Sequence, residues 1–281
     1  MTALDPYARS LGVVVEAVDA ERARIRIPYK DENSNPGRAL HGGVPASAID
    51  IAGVLAASAG KDGAGLETGT LDLSVLYLAA AIGEDIVAEA EVLRRGKELS
   101  YVDVEVRTDA GKRIAKGLVT HRAAPASSNR QLARSPDGSA DPGAGEVPQL
   151  ARAIVATPFI ARLGLRIERM HDGRSRIVMP FAAQNGDLAG AVHEGALAAL
   201  LDTTGAMASW SVAGLDLRYK ASTVGIHLTY HRPARGEDVV GHAVTLRRND
   251  EIFLNTVTLV GRASGRVVAT GAVTYRIVVP R

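Results

Sequence analysis

The sequence predicts an α+β chain in which one unit is written twice, each copy an antiparallel sheet wrapped around a central helix. Three observations carry this expectation. The chain matches itself when shifted by 152 residues. Each copy reads as a short helix, two strands, an apolar helix and four strands. The apolar helix has no polar face, so it belongs inside something that covers it on all sides.

The repeat is read residue by residue. Pro6-Tyr7 meets Pro158-Phe159, Leu11-Gly12 meets Leu163-Gly164, and Ile27-Pro28-Tyr29 meets Met179-Pro180-Phe181. His41-Gly42-Gly43 meets His193-Glu194-Gly195, and Asp50 meets Asp202. The shift becomes 153 at Thr70 and Tyr77, which meet Thr223 and Tyr230, and 154 at Gly117, which meets Gly271. So small a drift divides the chain into a first domain over 1–122, a linker over 123–149 rich in Ala, Ser, Pro, Gly and Asp, and a second domain over 150–281.

Each unit opens with a helix that has an N-cap type (Asp5, Thr157), a proline at the first helical position and a glycine stop (Gly12, Gly164). Two strands follow over 13–18 and 22–28; the second alternates basic and apolar residues, the mark of a half-buried strand. Then comes the apolar helix, 44–59 in the first copy and 195–208 in the second. Strands over 68–77, 85–95, 99–108 and 113–122 complete the first unit. One antiparallel sheet wrapped on one helix is the hotdog fold, and two such units pair edge to edge so that exposed strand edges are covered.

Composition narrows the function. The 281 residues carry a net charge of +2, which gives no bias toward nucleic acid or membrane. Cysteine is absent, which excludes disulfides, thiolate metal sites and a cysteine nucleophile, and fits a cytoplasmic protein. The first residues lack a signal-peptide pattern. No stretch supplies the ~18 clean apolar residues of a membrane span.

The repeated polar residues define the candidate chemistry. In Asn35-Pro36-Gly37-Arg38-Ala39-Leu40-His41-Gly42-Gly43 the glycines stand where a loop becomes a helix. There a ligand can approach the backbone, and free N–H groups with the helix dipole stabilise an oxyanion. Asp50 follows His41 by nine residues on that same helix. At ~1.5 Å of rise per residue it lies about 12 Å from the helix start, too far to serve its own oxyanion site. An antiparallel pair of helices would cross the sites, placing His41 and Gly42 with Asp202, and His193 and Glu194 with Asp50. An unpaired aspartate amid Ala, Ile and Leu is costly, which argues for a role in chemistry.

These residues resemble the hotdog-fold acyl-CoA thioesterases, in particular the phenylacetate-pathway (PaaI-like) branch. An Asn, a His-Gly-Gly six residues later and an acid nine after the histidine match Asn35, His41-Gly42-Gly43 and Asp50 in order and spacing. The resemblance implies thioester hydrolysis, with the acid as base or nucleophile, the backbone N–H after the histidine as oxyanion donor, and the acid supplied by the neighbouring unit. It also implies an assisting hydroxyl on the following strand, where Thr70 and Thr223 stand. The second copy departs from the pattern, with Asp187 for Asn35 and Glu194 for Gly42. The site of Asn35, His41, Gly42, Asp202 and Thr223 is therefore expected to be the better catalyst, and that of His193, Gly195, Asp50 and Thr70 to be altered or weak. Gly43, Gly195 and Glu194 are expected to border substrate. Arg95 and Arg248, with Arg94, Lys97 and Arg247, are candidates for the phosphates of coenzyme A.

The expected partner is a small-molecule acyl-CoA, with CoA entering as part of the substrate, no separate cofactor, and pseudo-dimers free to assemble further. No metal is expected. His227 and His231 are four apart on a strand, a spacing of about 13 Å that one ion cannot span. HExxH, Walker and dinucleotide motifs are missing, and Ser127-Ser128 have no nucleophile elbow. Two other functions fit the same pocket: an acyl-CoA-binding sensor that does not hydrolyse, and a hydratase or dehydratase.

Overall fold

The computed structural model describes residues 4–60, 65–125, 141–149, 151–214, 216 and 218–278. The serines 127 and 128 and most of the sequence-predicted linker lie outside them.

The first copy contains α1 (Pro6–Leu11), β1 (Val14–Val18), β2 (Arg22–Ile27), α2 (Gly43–Ser58), β3 (Leu66–Tyr77), β4 (Ile86–Arg95), β5 (Leu99–Thr108) and β6 (Arg113–Pro125). After α3 (Ala151–Val155), the second copy repeats the order with α4 (Pro158–Leu163), β7 (Arg166–His171), β8 (Arg174–Met179), α5 (Glu194–Ala213), β9 (Lys220–Tyr230), β10 (Val239–Asn249), β11 (Ile252–Gly261) and β12 (Val267–Val278). This is a double hotdog. Among the described residues the twelve strands form one antiparallel sheet in the order β1-β2-β4-β5-β6-β3-β9-β12-β11-β10-β8-β7.

The copies join at β3 and β9, which pair from Asp72 opposite Thr229 to Leu76 opposite Gly225. On the outer face of this seam Ser74 Oγ lies 2.7 Å from His227 Nδ1, and His227 Nε2 lies 3.3 Å from Asp72. His227 is therefore occupied as a strand residue across the seam.

The concave face of the sheet holds α2 and α5. Thirteen of the sixteen residues of α2 are buried, among them Ala46, Ala48, Ile49 and Ala52. Small residues let the two helices touch. A Cβ on Gly43 would fall 2.6 Å from Cβ of Ala199, and one on Gly195 would fall 2.9 Å from Oγ of Ser47. Gly43 precedes Ser47 while Ala199 follows Gly195, so the helices run antiparallel and overlap at their first turns. Ser47 Oγ lies 2.6 Å from the Gly43 carbonyl oxygen and 3.2 Å from that of Gly195, and 2.9 Å from the Tyr7 hydroxyl, bridging the copies.

Several local expectations need correction. Residues 123–125, read as linker, continue β6, where Pro125 pairs with Leu66. Residues 141–148 pack on β7, with the Gly145 N–H on Glu168 O at 2.9 Å and the Met170 N–H on Glu146 O at 2.8 Å. Neither Asp5 nor Thr157 caps its helix through its side chain. Asp5 instead accepts the Leu188 N–H across the repeat at 2.8 Å, and Thr157 donates to Ile154 O at 2.8 Å. A tertiary contact thus takes Asp5, and a local turn takes Thr157, for other work. The glycine stops behave as read, with Gly12 and Gly164 left-handed at φ 82° and 69°.

Candidate active site

The antiparallel register decides which residues meet. Asp202, two turns into α5, reaches the start of α2; Asp50, two turns into α2, reaches the start of α5. A Cβ on Gly42 would fall 2.7 Å from Oδ2 of Asp202, so the carboxylate stands directly over the glycine backbone. Thr223, on β9, donates to Asp202 Oδ1 at 2.6 Å. One oxygen is held and the other faces the loop-to-helix junction.

At that junction His41 Nδ1 accepts the Gly43 N–H at 2.9 Å, and the Val44 N–H bonds to His41 O at 2.9 Å. The Gly42 N–H lies at the helix start, outside the helix's own hydrogen-bond ladder, where the dipole is positive. The Tyr77 hydroxyl donates to the Gly42 carbonyl at 2.9 Å, fixing the peptide from the other side. His41 is stacked on Phe159, with ring centroids 4.4 Å apart. Burial and the nearby Arg162 charge push the His41 pKa down to about 3, so the ring is a neutral support that shapes the turn. Arg162 itself sits 5.0 Å from the Phe159 ring and 5.7 Å from that of Tyr7.

Burial drives the Asp202 pKa up from 3.8 to about 6, against the opposing hydrogen bond from Thr223. The group is ionised at neutral pH yet basic enough to take a proton.

Asn35, His41, Gly42, Asp202 and Thr223 all border one cavity of about 580 Å³. Its apolar wall includes Met207, Trp210, Tyr219 and Tyr275. Trp210 stacks on Tyr219 at 6.3 Å and donates to the Tyr275 hydroxyl at 3.3 Å. Ile154 of α3 closes another side.

The second constellation keeps most of the same parts. Thr70 donates to Asp50 Oδ1 at 2.7 Å, the Gly195 N–H donates to His193 Nδ1 at 2.9 Å, and the Tyr230 hydroxyl donates to Glu194 O at 3.0 Å. His193 Nδ1 lies 3.9 Å from Asp50 Oδ2. Burial raises the pKa of both Asp50 and Glu194; the Asp50 charge raises that of Glu194 further, to about 8, while His193 and the Thr70 hydroxyl oppose the rise at Asp50. Asp50, His193 and Glu194 offer three ligand atoms within 4.8 Å of one another. They do not make a good metal centre, because His193 Nδ1 already spends its lone pair on the Gly195 N–H.

Other expected site residues are placed elsewhere. Asp187, the counterpart of Asn35, accepts the N–H groups of Ala189 and Ala191 at 2.8 and 2.7 Å and so holds a turn. Arg95, a candidate for the CoA phosphates, has a structural contact in the fold. Its guanidinium donates to the carbonyls of Ala56, at 3.0 Å, and Ala57, and so caps α2 at its C-terminus, where cations are favoured. Arg248 stacks over Phe253 at 5.2 Å. Neither lines the cavity. Sequence reasoning missed Tyr77 and Tyr230 as site residues, although both mark the repeat, and missed α3 altogether.

The fold and this pair of crossed helix starts define a double-hotdog protein. The Thioesterase superfamily model matches residues 37–115 and 189–260, once in each copy. The chain belongs to the thioesterase superfamily, the hotdog thioester hydrolases. Human acyl-coenzyme A thioesterase 13 is 33% identical over 125 residues, 43% of this chain and 86% of that protein. The medium/long-chain acyl-CoA thioesterase YigI of Escherichia coli K12 is 31% identical over 133 residues, 41% of this chain and 84% of its own. Each relative is thus about one copy long. Whole-chain likeness is found in solved structures. A hotdog-fold protein from Alicyclobacillus acidocaldarius superposes with a TM-score of 0.66 at 18% identity, covering 95% of this chain and 97% of its own. Acyl-CoA thioesterase II TesB2 from Mycobacterium marinum gives 0.64 at 14% identity, covering 95% of each chain. At such identity these show the fold.

Proposed function

We propose that this chain hydrolyses acyl-CoA thioesters at the site formed by Gly42 of the first copy and Asp202 of the second. The observation that carries the reading is the position of Asp202 Oδ2 against the Gly42 backbone at the start of α2, inside a cavity. A base and an oxyanion donor then face one reacting centre, as acyl transfer requires.

In this reading the thioester carbonyl oxygen lies on the Gly42 N–H, where the helix dipole favours the developing negative charge. Asp202 takes a proton from a water molecule, and the water oxygen forms a bond to the carbonyl carbon. The carbon–sulfur bond then breaks, and the proton passes from Asp202 to the departing thiolate. Thr223 steadies the carboxylate, and His41 and Tyr77 hold the Gly42 peptide in place. The wall of Met207, Trp210, Tyr219 and Tyr275 favours an apolar acyl group, and a volume near 580 Å³ suits a small-molecule chain. CoA enters as the leaving part of the substrate. The PaaI-like assignment rests on the spacing of Asn35, His41-Gly42-Gly43 and the acid.

The test is release of free thiol from a panel of acyl-CoAs of differing length and aromaticity. Wild type releases thiol from at least one of them, and Asp202→Ala loses nearly all of it while Asp50→Ala retains it. Abolition by Asp50→Ala with Asp202→Ala intact would reverse the two sites. Tight binding of acyl-CoA with no thiol release would make the chain a binder and defeat the proposal.

A further inference from the structure

The second constellation differs from the first mainly at one position. Where Gly42 has no side chain, Glu194 has a carboxyl, and an oxygen of that carboxyl lies within 4.8 Å of ligand atoms of both Asp50 and His193, in the space between the aspartate and the start of α5. The Glu194 N–H is the counterpart of the Gly42 N–H. The peptides match in pose, because Tyr77 holds the Gly42 carbonyl at 2.9 Å and Tyr230 holds that of Glu194 at 3.0 Å. Room for the carboxyl comes from β3. Gly69 lies against it, so close that a Cβ there would sit 3.4 Å from Oε1, whereas the matching residue in the second copy is Ser222. The rest of the machinery stays intact. Asp50 is buried, its Oδ1 is held by Thr70 at 2.7 Å, and its Oδ2 has no hydrogen-bond partner among the described residues.

We infer that Asp50, Thr70, His193 and Gly195 form a second hydrolytic centre for acyl-CoA thioesters that is held closed by Glu194, whose carboxyl fills the space beside Asp50 that a thioester would need. The inference rests on the function proposed for the Asp202 site, since it transfers the same chemistry to the sister site.

The experiment silences the first site and opens the second. Thiol release is compared for wild type, Asp202→Asn, Asp202→Asn with Glu194→Gly, and Asp202→Asn with Glu194→Gln. Asp202→Asn is nearly silent. The Gly double variant regains turnover on the order of 100-fold above it, the usual worth of one oxyanion donor. Addition of Asp50→Asn removes the gain. The Gln double variant stays silent, because its side chain fills the same space.

Three results would overturn the inference: a folded Gly double variant that stays at the Asp202→Asn level, a Gln variant as active as the Gly variant, or substantial turnover by Asp202→Asn alone. Folding is checked by thermal melts. If glycine at this position prevents folding, Glu194→Ala empties the same space while keeping the Cβ already present, and is judged by the same outcomes. Wild-type turnover without any rescue sinks only the closed-site inference; a wild type inactive on every acyl-CoA sinks the proposed function and this inference with it.

Discussion

Gly43 and Ala199 touch where α2 and α5 cross, with no room for a methyl group on the glycine. A Cβ there would also fall 3.0 Å from the Phe159 ring and 3.1 Å from Cα of Ala199, so backbone as well as side chains would have to move. This contact sets the helix register that carries Asp202 to Gly42. Gly43→Ala is therefore expected to cost about 1–3 kcal/mol through overpacking. Turnover should fall more than that stability loss explains, because a 1 Å misplacement of the carboxylate costs on the order of 100-fold. A thermal melt alongside the thiol assay checks both.

Asp202 makes catalysis and stability pull in opposite directions. Its pKa in the fold is about 6 against an ordinary 3.8, so the fold disfavours the ionised form. Below pH ~4 the group is protonated folded and unfolded, and no penalty exists. Between about 4 and 6 the penalty grows, and above 6 it is complete, near 3 kcal/mol at 1.36 kcal/mol per unit. Asp202→Asn should lose turnover yet melt higher than wild type at pH 8, with the difference vanishing near pH 4. An Asn variant that melts lower at pH 8 would contradict the burial argument.

The Thr223 hydroxyl favours the carboxylate form of Asp202, so its removal should raise that pKa further. For Thr223→Val the rising limb of kcat/KM against pH, expected near 6 in the wild type, should move to higher pH. The loss at pH 6 should exceed the loss at pH 8. A uniform loss across pH would mean that Thr223 acts only by packing.

Arg95 tests the boundary between support and recognition. As a cap on α2 its loss should destabilise the fold by about 0.5–2 kcal/mol, the range for helix-end interactions. The KM for acyl-CoA should not change in Arg95→Ala. A several-fold rise in KM without a change in melting would restore it as a contact for the CoA phosphates.

Much of this architecture was legible in the chain. The apolar run of α2 and the alternation in β2 fix element type through burial. The repeat fixes the pairing of copies, and the rise of a helix is enough to separate Asp50 from its own helix start. What stayed hidden depends on distant contacts. Asp5 looks like a cap and instead holds the Leu188 N–H, a partner 183 residues away that no local pattern announces. Arg95 looks like an exposed turn cation and instead reaches the end of α2. Tyr77 recurs in both copies, but only the fold shows its hydroxyl on Gly42. The helix α3 is five residues long, too short for periodicity to reveal.

The continuous sheet through β3 and β9 has a consequence for how such a protein can change. A catalytic pair drawn from two separate polypeptides depends on their encounter, and each mutation strikes both active centres at once. Here the partners are tethered, so the effective concentration of one half around the other is set by the chain and not by the cell. Specific activity should survive dilution. A substitution in either half also alters one centre and leaves its sister as written, so one can specialise while the other goes on working.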